Sequence, residues 1–210
     1  MDRGSDALRT WTGVREAVPW DTARPVRGPL VPVRDGAVHD VLGFDRERSR
    51  TRAAGMLAAL ERVRADAAAG LPLSFGLLQG WQRHVLGGPA PLRTGTAHAK
   101  AGRERYGRPP DLARTLEAFL AQAGGPGPPL NARAARAYLD VCFLHPFEDG
   151  NGRAAFLALV FLLAREDVAL DQVGPVRRME RHAHDAEGAL GLAELLAVLA
   201  DAARRRAARR

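Results

Sequence analysis

The chain has 210 residues, 46% hydrophobic and 26% charged, which is enough for one well-buried core and is the balance of a soluble globular protein. Its formal net charge of +7 raises the question of nucleic acid, but the basic residues are almost all arginine, with Lys100 the single lysine, and they alternate with acids without interleaved aromatics, which argues against that partner. No apolar run approaches the ~20 residues that span a bilayer, and the start, MDRGSDALRT, lacks the apolar stretch of a secretory leader, so the expectation is a cytoplasmic protein with no membrane partner.

Residues 1–44 are rich in Pro, Gly and Val with little helical periodicity. They read as an extended or short-strand arm packed on a main body formed by residues 45–210. From 45 to 69, Ala53, Met56, Leu57, Leu60 and Val63 recur at the helical period, with arginines and acids on the other side, and predict a helix. Gly70-Leu71-Pro72 breaks it. Ser74 or a neighbour is the expected cap of a second helix running to about Leu86, with Leu77, Leu78, Trp81 and Val85 on one face. Residues 92–106 alternate small, polar and basic side chains around Gly95 and Gly102, the pattern of a β-hairpin or an irregular flap. Pro109-Pro110 then opens a helix through Ala123. After the turn-forming residues 124–129, Asn131 is the expected cap of a helix to Leu144. Residues 154–164 are apolar almost all round, which predicts a helix buried at the centre of the domain. Two closing helices are expected over 172–184 and 190–206. The fold class is therefore all-α with one short hairpin. The arginines at 204, 205, 206, 209 and 210 read as a solvated helix end that complements the dipole.

The chemistry concentrates in the nine residues from His145 to Arg153. A turn built from Gly150, Asn151 and Gly152 at the start of an apolar helix directs free backbone N–H groups, and the positive end of the helix dipole, at an anion. The two glycines permit positive φ and close backbone approach. Asn151 can add a side-chain donor and Arg153 a guanidinium fork for a second phosphate. Asp149 can share Mg²⁺ with those phosphates, or cap the helix; Glu148 beside it is expected to be exposed. His145, upstream of the turn, is placed to accept a proton from a hydroxyl, the alternative being a structural histidine. Phe147 reads as a core anchor and Trp11, Trp20 and Trp81 as packing. Cys142 reads as a small buried side chain, and no internal disulfide is possible. His98 and Lys100 fall in the flap. His182 and His184, two apart on an expected helix, would lie on different faces and make no metal pair.

The stretch HPFEDGNGRAAF resembles the motif of the Fic family, HPFx(D/E)GNGRxxR, at every specified position but the last, where Phe156 stands in place of the second arginine. The order of helices, flap, motif and central helix over about residues 70–200 resembles that fold as well. The resemblance implies an enzyme that moves AMP, or another nucleotide-derived phosphoryl group, from a Mg²⁺-bound nucleotide, most simply ATP, to a hydroxyl on a protein or a small molecule. His145 would be the general base, Asp149 the metal ligand, and Gly150, Asn151, Gly152 and Arg153 the donor-binding residues. Gly150 and Gly152 favour this subtype, because the related Doc phosphotransferases carry alanine and lysine there. In the family the arginine at the place of Phe156 contacts the terminal phosphate of ATP and pairs with an inhibitory glutamate. Phenylalanine does neither. That departure predicts poor discrimination between tri- and diphosphates. It also leaves two alternatives open, a diphosphate-linked donor such as CDP-choline or a UDP compound, and a degenerate domain that binds nucleotide without turnover. The inhibitory pattern (S/T)xxxE(G/N) finds only the near miss Thr12 to Ala17, which leaves a separate inhibitor protein as the conceivable regulator.

Overall fold

A computed structural model describes residues 6–209. Among them, nine α-helices and one two-stranded hairpin make an all-α fold. Two helices form its axis. α6 (Leu130–Leu144) and α7 (Asn151–Ala164) are joined by the loop of residues 145–150 and pack on each other along their lengths. Both are buried on nearly every face, because alanines and leucines all round the helix leave no polar side to turn to water. α3 (Arg50–Ala68) and α4 (Phe75–Leu86) cover α7, while α5 (Leu112–Gly124) and α9 (Ala186–Ala207) cover α6. Among the described residues no helix is long and apolar enough to cross a membrane.

Local signals hold where the stop and start chemistry is explicit. Ser49 and Ser74 cap α3 and α4, their hydroxyls accepting from the Arg52 and Leu77 amides at 3.3 Å, and Gly87, at φ 69°, ends α4 in the left-handed region. The flap is β1 (Ala97–Ala99) against β2 (Glu104–Tyr106), antiparallel, with Ala97 opposite Tyr106.

Several expectations fail, each for a tertiary reason. The segment read as an extended arm holds α1 (Ala7–Val14), capped by Asp6, and the short α2 (Gly36–Asp40) followed by a π turn, Val41–Asp45. α1 escapes the periodicity reading because only Ala7, Leu8 and Trp11 of its eight residues are buried. Asn131 is not a cap: α6 starts at Leu130 after Pro129. Its buried amide instead accepts from the Val26 N–H at 3.1 Å and donates to the carbonyls of Arg24 and Ala193, tying the N-terminal segment and α9 to α6. The helix expected over 172–184 shrinks to α8 (Gly174–Arg178), and Met179–Asp185 run as irregular chain, so the exposed rings of His182 and His184 stack with centroids 5.6 Å apart instead of diverging. Arg206 is not simply solvated, since it grips the buried Asp171 with two nitrogens at 2.5 and 2.6 Å. Arg210 lies outside the described residues.

The N-terminal segment is fastened by a buried charge. Asp140 on α6, fully buried, accepts from Trp11 Nε1 at 2.9 Å and from Arg15 Nε at 2.7 Å, and the Arg15 guanidinium lies 3.7 Å over the Phe119 ring. Removing the arginine strands the carboxylate without its counter-charge, so Arg15→Ala should destabilise the fold by about 3 to 5 kcal/mol. Exposed Glu16, also bonded to Arg15, should cost less than about 0.5 kcal/mol on Glu16→Ala. Urea denaturation of both variants checks the pair, and equal losses would contradict the assignment.

Candidate active site

The site begins with the way α6 ends. His145 adopts φ 50°, ψ 57°, a left-handed conformation unusual for a side chain with a Cβ, and its amide donates back to Val141. Arg93, fully buried at the base of the flap, supports that termination. Its Nε donates to the His145 carbonyl at 2.7 Å, its Nη2 to the carbonyls of Gly107 at 2.5 Å and Leu144 at 3.4 Å, and its Nη1 to Gly95 O. A cation is thus held at the negative end of α6 and at the root of the flap together. Nothing in the spacing of residues around Arg93 distinguishes it from the chain's other arginines.

His145 is thereby turned toward solvent-filled space with one nitrogen committed. Its Nδ1 lies 3.2 Å from the Cys142 carbonyl. A carbonyl only accepts, so Nδ1 carries the proton and Nε2 of the neutral ring is left as an acceptor. The Tyr106 ring of the flap stacks on the imidazole at 4.2 Å, nearly parallel. Burial, before any other cause, pulls the imidazole below its ordinary value of 6.5, against the Cys142 hydrogen bond that raises it. Half-buried Cys142 is inert, since burial pushes its thiol up to about 12.

The turn itself is Gly150 at φ 77°, the N-cap of α7. A Cβ there would meet Gln82 Nε2 at 2.5 Å and Arg153 Nη2 at 3.0 Å, so a side chain would displace both groups and take up a strained backbone. Gly152 is different from what its expected conformation implied: it has no positive φ, and a Cβ would meet nothing within 4 Å. Its bare Cα leaves open space over the helix terminus. The N–H groups of Asn151 and Gly152 find no acceptor among the described residues, which is the unsatisfied helix start that binds anions. Asn151 lines the same space, but its amide is committed to the loop, accepting from Phe147 N–H at 2.9 Å and donating to Phe147 O at 2.8 Å. Phe147 is buried and stacks on Phe75. Gln82 of α4, with no warning in the sequence, steadies the turn by donating to Asp149 O at 2.8 Å.

Asp149 is not the helix cap. Its carboxylate, 78% exposed, accepts from Gly150 N–H and from Arg153 Nη2 at 3.0 Å, and Glu148 beside it is also exposed. Among the described residues no cluster of three His, Cys, Asp or Glu side chains forms a preformed metal cage. One open carboxylate beside free backbone donors nonetheless fits Mg²⁺ of the kind that takes most of its ligands from phosphates and water. Arg153 also donates to Val85 O at 3.2 Å. Its guanidinium falls below the usual arginine value because of burial first and the neighbouring Arg52 second, against the opposing Asp149 and Asp45.

These groups line one cavity of about 410 Å³, whose wall includes His98, His145, Asp149, the turn, Arg153, Arg52 and Arg177. A second cavity of about 200 Å³ lies on the flap side and takes in Lys100, Glu104, Tyr106, Cys142 and Arg181. The two share Ala99, Tyr138, His145, Asn151 and Gly152. Of the motif, His145, Asp149, Gly150, Asn151, Gly152 and Arg153 all line the larger cavity, and His145, Asn151 and Gly152 lie at the junction. Phe156 does not: it is fully buried beneath the wall.

Residues 72–163 match the family model described as Fic/DOC family. This segment is a Fic/DOC-family domain. The Fic domain so defined runs from the start of α4 through the flap, α5, α6 and the turn to the end of α7, leaving α1–α3 and α8–α9 outside the match. Members of the family generally transfer nucleotide-derived groups onto hydroxyl acceptors. Among solved structures, a Fic domain containing signaling protein from Bacteroides thetaiotaomicron VPI-5482 superposes with a TM-score of 0.49 at 17% identity, covering 92% of this chain and 82% of that one. No curated protein matches the sequence.

Arg93 is the Fic domain's least obvious dependency. Arg93→Ala takes the donor from four carbonyls, His145 and Leu144 at the α6 terminus and Gly95 and Gly107 at the flap root, so it should lower stability by about 3 kcal/mol. A thermal or urea unfolding curve displaced by under about 1 kcal/mol would show that the terminus holds by itself.

Proposed function

We propose that the protein transfers AMP from a Mg²⁺-bound nucleotide, ATP in the simplest case, to a hydroxyl, with His145 as general base. The observation that carries this reading is the position of His145 on the wall shared by two cavities, with Nε2 unprotonated. The larger cavity, with the α7 terminus and the arginines, suits the anionic donor. The smaller one, under the flap, suits the acceptor, whether a protein side chain presented along β1 or a small metabolite.

In the step, the acceptor oxygen attacks the α-phosphorus, the new O–P bond forms as the bond from phosphorus to the bridging oxygen breaks, and the hydroxyl proton passes to His145 Nε2. Pyrophosphate leaves with the electron pair of the broken bond. The residues supply placement and charge more than covalent chemistry, as phosphoryl transfer requires. The Asn151 and Gly152 N–H groups and Arg153 hold phosphate oxygens. Asp149 would hold Mg²⁺, which adds neutralisation of charge on the donor phosphates when bound. A protonated His145 cannot take the hydroxyl proton, and a ring whose proton leaves more easily than usual is ready at neutral pH.

A diphosphate-linked donor is the second reading, and Phe156, which offers no cation, is its support. The degenerate reading draws nothing further from the site, where His145, Asp149 and Arg153 stand around one cavity.

His145→Ala should lower transfer by about 10²- to 10⁴-fold while leaving nucleotide binding within a factor of about two. In the parent, kcat/KM should rise with pH through a midpoint below 6.5 and then level off. Transfer of label from α-labelled nucleotides with Mg²⁺ checks both. Turnover by the alanine variant within about tenfold of the parent would overturn the assignment.

A further inference from the structure

Arg52 lies outside the segment that carries the family motif, yet its guanidinium lines the larger cavity together with Arg153. It sits in the first turn of α3, where the helix dipole disfavours a cation, so its placement there is not explained by helix chemistry. Its Nε donates to Asp45 Oδ1 at 2.7 Å, and its two terminal nitrogens have no acceptor among the described residues. The side chain is 31% exposed, on the cavity side. Arg153, by contrast, has spent one terminal nitrogen on Val85 O and the other on Asp149. Two guanidinium groups facing one cavity repel unless an anion lies between them, and each lacks a full set of acceptors.

We propose that Arg52 is the second anion-binding cation of the site, holding a phosphate beyond the two nearest the α7 turn, so that the donor is a triphosphate. This rests on the reading of the cavity as the donor site. It also accounts for Phe156. The ring of Phe156 lies 4.8 Å from the Arg177 guanidinium, and Phe44 faces the same group at 4.9 Å. Arg177 in turn donates to Asp40 Oδ2 and Asp45 Oδ2, each at 2.7 Å, and its side chain is only 4% exposed. Held between two buried carboxylates and two aromatic rings, Arg177 is a positioning residue. It fixes one oxygen of Asp45, and the other oxygen of Asp45 fixes Arg52. An arginine at 156 would set a like charge against Arg177, so the aromatic ring is the side chain that this arrangement accepts. The poor discrimination between tri- and diphosphates expected from Phe156 alone is thereby reversed.

The full chain is titrated, in the presence of Mg²⁺, with tripolyphosphate, pyrophosphate, ATP and ADP. The parent should prefer tripolyphosphate over pyrophosphate, and ATP over ADP, by about tenfold or more; Arg52→Gln should lose about ten- to a hundredfold on tripolyphosphate and ATP and less than about threefold on the two shorter ligands. Asp45→Asn, which keeps both arginines but weakens their bridge, should reduce the tri-to-diphosphate ratio without abolishing pyrophosphate binding, a change that a merely structural role would not produce. Arg52→Lys serves if the glutamine variant does not fold, and should keep part of the preference. If Arg52→Gln weakens all four ligands equally, or none, the proposal fails while the donor reading of the cavity stands. If the parent binds none of the four, the donor reading fails and this inference goes with it.

Discussion

The site depends on one left-handed residue at the end of a buried helix. A non-glycine residue at positive φ is strained, and here the strain is held by a buried arginine that satisfies the carbonyls the helix leaves behind. Because α6 stops at His145 and not one residue later, the imidazole points into the junction of two cavities, and its Nδ1 reaches back to the last turn of its own helix. The same termination sets the start of α7 six residues on, so His145 and the glycine turn are positioned by one short loop between two rigid helices. The loop holds that alignment because it is short and because Asn151, Gln82 and Phe147 clamp it on three sides.

Around this core the rest of the fold supplies charge from a distance in sequence. Asp40 and Asp45, from the segment before α3, meet Arg177 of α8 and Arg52 of α3 behind the cavity wall. A buried carboxylate shared by two arginines is favourable where separate burial of either sign would be costly. It also fastens α2, α3 and α8 to one another at the edge of the site. The family match covers none of these four residues, so the cations that join Arg153 in the cavity wall come from this chain's flanking helices.

The legible part of the sequence was local chemistry. Ser74 as a cap, the glycine that ends α4, the apolar all-round pattern of α7 and the nine-residue motif each depend on neighbours a few positions away, and each can be read in order along the chain; the start of α3, expected at 45, lies at Arg50 behind Ser49. What escaped reading depends on residues far apart. Asn131 looks like a cap because asparagine often is one, yet its partners are Val26, Arg24 and Ala193. Arg93 and Gln82 act on a loop some fifty to seventy residues later, and a scan of spacing assigns them no duty. The helix expected over 172–184 is only α8, Gly174–Arg178, with Pro175 in its first turn, and the chain beyond it is irregular. Gly152 was grouped with Gly150 by residue type, whereas only Gly150 needs the left-handed region.

The fold leaves His145 as a neutral ring, protonated at Nδ1, with Nε2 free as an acceptor at the junction of the two cavities. Its folded state binds a proton less tightly than the unfolded chain, so below the ordinary value of 6.5 the unfolded form takes up more protons. The group's part in stability is complete above that pH and declines as the solution is acidified. Nitrogen-15 NMR of the imidazole across a pH titration measures tautomer and proton affinity together. The structure predicts an Nδ1–H ring that titrates below 6.5; an Nε2–H tautomer, or a midpoint above 6.5, would contradict it.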